Sequence, residues 1–323
     1  MTALTLTKKL AEARAEIVIL FTLVAAILWF VPELTVHKEL VKSVDFKFMG
    51  ITLFSIPVMI SRAISFVVWI VLLARMVPLS EQMSLIPVRS MLPYVFGILC
   101  VSCVDVLHVF DERMVAFVLL VHSMRKLCEM YSMQYLQMLE GFKMLLFVFI
   151  AALFKVEYVW MILLFVIGLN VYKVTSFKFI LSALLSLGVV AWILLGIFWL
   201  ADSVDILLAY FHEVIDFKLD FFHWGALRYA KIGFAASLLL LTRLQTDMFS
   251  YKYDLQVRLN NAMMGVAFWF AVLIMVVYGL GMVQFVVFMA IISLSLYFTT
   301  ERTSMGNVIF LIVCVILLAY RLI

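Results

Sequence analysis

Long runs of apolar residues alternate with short polar joints along almost the whole chain, beginning at Ile17. An apolar α-helix of about 20 residues crosses the hydrocarbon core of a bilayer. Dividing the sequence at its polar joints therefore predicts an all-α fold of about eleven spans in a single transmembrane domain, 1–323. The predicted spans are 17–31, 63–79, 91–109, 114–128, 142–155, 157–172, 177–200, 229–243, 260–279, 281–299 and 307–321.

The composition agrees with this pattern. Hydrophobic residues make up 67% of the chain and charged residues 14%, whereas about a quarter of the residues of a soluble domain are charged. Membrane β-barrel strands alternate apolar and polar residues, but runs such as 177–200 and 281–298 are apolar on every side. These observations exclude a soluble protein and favour helical spans.

The second apolar run, residues 48–76, is too long for one simple span and holds Arg62 at its centre. We expect its first part, 48–61, to be re-entrant or interfacial and to lead into the span 63–79. Arg62 then either anchors the start of that span or lies within the hydrocarbon beside a carboxylate or carbonyl group.

The orientation follows from the distribution of basic residues, because short cytoplasmic loops are rich in Lys and Arg. With the N-terminus inside, 14 of the 24 Lys and Arg residues fall on the cytoplasmic side. This predicts a multi-pass membrane protein with an N-in/C-out topology. Segments 32–47 and 201–228 are then extracytoplasmic and interfacial, and membrane lipids are the expected partners.

The first of these segments holds the carboxylates Glu33, Glu39 and Asp45. Two interpretations apply to it. A transferase that uses a lipid-linked substrate needs a carboxylate near the headgroups, as a base or a metal ligand. Alternatively, the segment is a solvated interfacial helix whose buried stripe is Val36, Leu40 and Val44.

The second segment reads as one or two amphipathic helices in the outer interface. Its aromatic and basic residues suit the headgroup level, where Trp and Tyr are enriched. It is either a plain connection or the rim of a lateral cavity. The predicted rim residues are His212, His223, Trp224 and Arg228.

Ionisable residues at membrane depth are costly, so they are candidates for function. Asp105 and His108 lie three apart, which on a helix places them on one face. Such a pair suits a general base or the second shell of a metal site, but we favour a structural hydrogen-bonded pair at the helix end. The intramembrane candidates are Arg62, Asp105, His108, His122 and Arg243.

Two cysteines, Cys100 and Cys103, form a C-x-x-C pattern within a predicted span. A structural zinc site needs four ligands, and the sequence has no second cysteine pair to supply them. We therefore expect the cysteines to pack as small apolar residues. No metal site, cofactor or nucleic-acid partner is predicted.

Residues 114–192 contain a span ending in Met-Arg-Lys, a short helical hairpin, a basic joint and a long span. In these features, and more loosely in residues 293–318, the chain resembles a family of uncharacterised polytopic inner-membrane proteins found in Bacteroidota. The resemblance implies a membrane fold and a location but no reaction.

The hairpin and joint also look like the membrane half of glycosyltransferases with a C-type fold. Those enzymes carry an acidic residue in the first outer loop, which Glu33, Glu39 or Asp45 matches in position. The chain departs from their pattern, since it has no Asp-Asp or Asp-x-Asp sequence there.

Three hypotheses follow. The leading one is a non-catalytic accessory or assembly subunit that contacts lipid and other envelope proteins. The second is a C-fold-like glycosyl or lipid-modifying transferase. The third is a carrier or channel, which requires Arg62, Asp105 and Arg243 to line one path.

Overall fold

The computed structural model describes residues 15–34, 43–82, 85, 90–130, 137–172, 177–214 and 254–300. Of Glu33 and Asp105 it describes the backbone alone. The candidates that lie outside the described residues are Glu39, His223, Trp224, Arg228 and Arg243, together with the spans 229–243 and 307–321.

The described chain is mostly helical. Three of its helical segments, Val58–Pro78, Ile180–Leu200 and Leu255–Tyr278, have the length and the apolar composition needed to cross a membrane. The prediction of a helical transmembrane protein is confirmed at this level. The helices are α1 Ala15–Leu34, α2 Val58–Gln82, α3 Leu92–Cys103, α4 Glu112–Met130, α5 Gln137–Phe154, α6 Met161–Val171, α7 Phe177–Leu200, α8 Val204–His212, α9 Leu255–Tyr278 and α10 Val283–Thr300.

Short 3₁₀ turns separate several of these helices. They are Asp105–His108 after α3, Val156–Trp160 between α5 and α6, and Leu280–Met282 between α9 and α10. The predicted span 91–109 is therefore wrong at its end, because the α-helix stops at Cys103 and Val104 is extended. Asp105 and His108 consequently lie in a 3₁₀ turn and not on one face of an α-helix.

An antiparallel hairpin, β1 Ser43–Phe48 and β2 Ile51–Pro57, corrects the all-α prediction, and its first strand replaces the end of the interfacial helix considered for 32–47. Polar and apolar residues alternate along β1, so that Phe46 is buried while Asp45 and Lys47 are exposed. This period of two is the pattern of a half-buried strand. The alternation was present in the sequence but covers only six residues beside a much longer apolar run.

The hairpin turn consists of Met49 and Gly50, which have φ angles of 50° and 77°. Positive φ at both central residues is what a two-residue type I′ turn requires. The Met49 side chain is buried in a small cluster with Leu153, Leu194 and Phe198, and its amide donates to the Leu153 carbonyl at 3.0 Å. The turn is thus fixed to the end of α5.

Helix α10 lies at the centre of the main core. Its side chains are buried on nearly every side, as Phe285, Ile291 and Leu296 illustrate. Phe288 of α10 meets Phe117 of α4, with ring centroids 5.7 Å apart, and Phe298 stacks on Phe96 of α3 at 5.2 Å. A helix that is apolar all round, as the sequence of α10 is, is expected in such a position.

Helix α7 has the opposite character. One stripe is buried, mostly against α5, and consists of Ser182, Ser186, Val190, Leu194 and Phe198, at intervals of four residues. Side chains four apart share a helix face, and small residues such as the two serines let neighbouring helices approach closely. Most of the remaining circumference is apolar and exposed; we call it the α7 outer face.

We predict that Gly50→Ala lowers the free energy of unfolding by about 1–2 kcal/mol, the cost of a left-handed backbone for a residue with a Cβ. A Cβ at this position meets only Tyr210, at 4.0 Å, so the loss is conformational. Thermal unfolding in detergent measures it.

Gly188→Ala is the matched control, because an added Cβ there meets open space on a helix. It should leave stability unchanged or raise it, since Ala favours helices over Gly. Equal losses in the two variants would contradict the argument.

Candidate functional site: a charged cluster where helix ends meet

Five charged residues gather at one end of the helices, and we call them the joint cluster: Asp111, Glu112, Arg113, Lys155 and Glu157. The first three begin α4, and the other two lie where α5 passes into the 3₁₀ turn before α6. Both positions are breaks between apolar helices, where polar residues interrupt the apolar sequence. The end of the bundle that holds them is the joint end.

Asp111 caps α4. Its Oδ1 accepts a hydrogen bond from the backbone N–H of Arg113 at 3.1 Å, as an N-cap carboxylate does. Its Oδ2 lies 3.3 Å from Arg113 Nε. Burial raises the pKa of the Asp111 carboxyl from 3.8 to about 6, although the charge of Arg113 opposes this change. Asp111 therefore keeps its proton to a higher pH than an exposed aspartate.

Glu112 connects three parts of the chain and is itself buried. Its Oε1 lies 3.5 Å from the ammonium of Lys155 at the end of α5. Its Oε2 accepts a long hydrogen bond, 3.4 Å, from the backbone N–H of Lys47 in β1. The carboxylate thus holds the hairpin, α4 and α5 at one point.

Glu157 is only 9% exposed, and its carboxyl group lies against the backbone of Gly281. A Cβ at residue 281 would stand 2.8 Å from Oε1, closer than real Cβ contacts, and 3.0 Å from Cδ. A residue larger than glycine in the turn between α9 and α10 therefore requires the Glu157 carboxyl group to shift. Glu157 Oε2 and the hydroxyl of the neighbouring Tyr158 are buried without a hydrogen-bond partner.

The joint cluster combines three carboxylates with two cations. Its named contacts are directed inward, to other parts of the same chain, and bind helix ends to one another. Within the part of the chain that the structure describes, no group of three or more His, Cys, Asp and Glu side chains could hold a metal ion. The chemistry best matched to this arrangement is fixation of the helix ends.

A second charged network lies at the opposite ends of α4 and α5. Lys126 contacts Glu129 at 3.0 Å and Glu140 at 2.9 Å. Arg125 pairs with Glu129, and Lys143 with Glu140. The hydrogen bond from Lys126 lowers the pKa of the Glu140 carboxyl. The α4–α5 pair is therefore held by ion pairs at both ends.

The intramembrane candidates separate into two places. Arg62 is buried in the first turn of α2, where its charge acts on His108. His108 is buried as well; its ring stacks on Trp29 at 3.9 Å, and Nε2 lies 3.2 Å from the Val101 carbonyl. His122 instead packs edge-on against Phe147, near the second network. The two histidines do not form one site.

Two outer candidates are exposed. Asp45 accepts a 2.7 Å hydrogen bond from Ser55 across the hairpin, which is its paired residue in the register. His212 ends α8 and points away from the core, while Leu207 and Tyr210 of that helix are buried. Asp45 therefore takes part in the pairing of the hairpin, and a role for it as a transferase carboxylate stays a prediction.

The sequence marked the joint cluster only indirectly. Asp111, Glu112 and Arg113 fall between the predicted spans 91–109 and 114–128, and Lys155 and Glu157 stand where the predicted spans 142–155 and 157–172 meet. The signal for a site was the occurrence of both signs of charge at two breaks on the same predicted side of the membrane. Nothing local in the sequence indicated that Glu157 would meet Gly281.

We predict that Gly281→Ala lowers the free energy of unfolding by about 1–3 kcal/mol, the usual cost of overpacking a buried site. In a Glu157→Ala background the same change should cost at least about 0.5 kcal/mol less, because the clash has been removed. Thermal unfolding of the four proteins of this cycle in detergent tests the coupling.

Gly196→Ala is the control for the added methyl group, since a Cβ at that position on α7 meets nothing within 4 Å. Strict additivity of the Gly281 and Glu157 substitutions would show that the close approach does not determine the residue at 281.

No protein-family model, curated protein or solved structure matches this chain. Its function is therefore argued from its own geometry.

Proposed function

We propose that the protein is a multi-pass protein of the cell inner membrane with a non-catalytic role, an accessory or assembly subunit of an envelope complex. The observation that carries this proposal is the α7 outer face. Only 17% of the most apolar stretch of this helix is buried, and Phe177, Trp192 and Leu200 are 79%, 81% and 80% exposed.

An apolar surface of this extent is unfavourable in water, at about 25 cal/mol for each Å². Soluble monomers rarely expose contiguous apolar patches of more than a few hundred Å². Hydrocarbon removes the penalty, so lipid acyl chains are the natural surroundings of α7. Exposed apolar residues on α1 and α2, such as Leu20, Ile27 and Val67, have the same character.

The topology that we propose is N-in/C-out with about eleven spans, which follows from the apolar runs and the basic residues of the sequence. Several parts of the chain meet at the joint end through the contacts described above: the hairpin, Asp111 to Arg113, Lys155 to Glu157, Tyr210 and Gly281. These are the joints that the distribution of Lys and Arg assigns to the outer side. The network of Arg125, Lys126 and Lys143 then faces the cytoplasm.

An accessory role agrees with how the charges are used. In each network one ion pair connects α4 with α5 or its end, Lys126 with Glu140 and Glu112 with Lys155, and the other named pairs lie within one helix or at its start. A protein organised in this way offers a stiff helical body with an apolar perimeter. Such a body suits lateral association with lipid and with other envelope proteins.

Purification from the native membrane in a mild detergent tests the role. We expect stoichiometric partner proteins, recovered again when a partner carries the affinity tag. Isolation as a clean monomer that turns over a lipid-linked substrate would contradict the accessory role and favour a transferase.

Single cysteines test the topology. In a background without the native cysteines, Ala201→Cys at the joint end should react with a membrane-impermeant maleimide in intact cells. Arg258→Cys, near the start of α9, should react only after permeabilisation. Both positions are exposed, so access is set by the membrane, and equal labelling of the two in intact cells would refute the topology.

A further inference from the structure

A small space of about 10 Å³ lies among α1, α2 and α3. Trp29, Trp69 and Ser102 contribute to its walls, and the rest of the lining is made of apolar side chains from the same three helices. About 10–15 Å³ of space measured in this way is what one water molecule needs. The space is therefore the right size for a single water.

The three polar residues that line it share a second property. Trp29 Nε1, Trp69 Nε1 and Ser102 Oγ are all buried and have no hydrogen-bond partner in the protein. The residues are 1%, 2% and 1% exposed. A buried polar group left unpaired costs about 1–3 kcal/mol, so three of them around one space call for an explanation.

Neighbouring groups of the same kind do find partners. On α2, the hydroxyls of Ser61 and Ser65 donate to the carbonyls of Phe110 and Leu107 at 3.0 and 2.8 Å. The indole of Trp160 donates to the Tyr278 hydroxyl. The concentration of unpaired groups among Trp29, Trp69 and Ser102 is therefore a local feature of the space that they line.

We propose that this space is a binding site for one water molecule, which accepts hydrogen bonds from both indole N–H groups and shares one with the Ser102 hydroxyl. An indole nitrogen only donates, so the ligand must supply at least two acceptor positions. Water has two lone pairs and two protons, and buried waters typically make about three hydrogen bonds. The bound water links α1, α2 and α3 through polar contacts inside an apolar core.

A monovalent anion would also accept from two indoles, and the buried Arg62 lies in the same part of the molecule, acting on the His108 ring that stacks on Trp29. The volume of the space, about 10 Å³, favours a water molecule. The experiment separates the two ligands by varying chloride.

The test is NMR of the full-length protein in detergent micelles, with ¹⁵N in the tryptophan indoles. Trp29→Phe and Trp69→Phe assign the two resonances. We expect cross-relaxation between both indole protons and a long-lived water. The absence of these peaks, or a shift of both indole resonances on titrating chloride, would overturn the proposal.

Ser102→Val gives an independent test, because the change in Tm has opposite signs for a space that holds water and for a dry one. If water is bound, the added methyl groups displace it and leave two indole N–H groups unpaired, so the Tm falls and both cross-peaks disappear. If the space is dry, the substitution fills it and the Tm rises, which would refute the site.

Ser123→Ala is the matched control. Its hydroxyl is equally buried but donates to the Met144 carbonyl on α5, away from the space. It should leave both cross-peaks unchanged. If Ser102→Val does not fold, the wild-type spectrum alone decides, because the cross-peaks are either present or absent.

Discussion

The end of α5 is the point on which the joint end is built. The last carbonyl groups of any α-helix have no partner within the helix, and in an apolar setting they must find one elsewhere in the protein. Here the Tyr210 hydroxyl donates to the carbonyls of Ala152 and Leu153, at 2.7 and 3.1 Å. The amide of Met49 donates to Leu153 from the other side. Two elements distant in sequence, α8 and the hairpin, are thereby placed over one helix end.

The joint cluster extends this solution. Once the hairpin lies on α5, the amide of Lys47 comes within reach of Glu112, and Glu112 in turn meets Lys155. Glu157 follows in the chain and fills the position beside Gly281. Each of these contacts brings the next polar group into reach. The joint cluster therefore results from the way the helices end near the surface of an apolar protein.

Elements with a long sequence pattern were predicted well, and elements with a short one were not. The span predicted at 177–200 and helix α7 have the same bounds, and the span predicted at 281–299 is close to α10. Long apolar runs with polar ends determine such helices with little help from the rest of the fold. The hairpin was not predicted because its alternation of polar and apolar residues is short. In addition, nothing about a methionine side chain indicates the positive φ that Met49 adopts. The joint cluster was not predicted because residues 112 and 155 come together only through tertiary packing.

The central position of α10 has a consequence for the order in which the protein is built. This helix is made after α3 and α4, and yet Phe96 and Phe117 pack their rings against it. Until α10 is made, those two rings lack the partner that they have in the folded protein. The main core is therefore completed only when one of the later helices is in place.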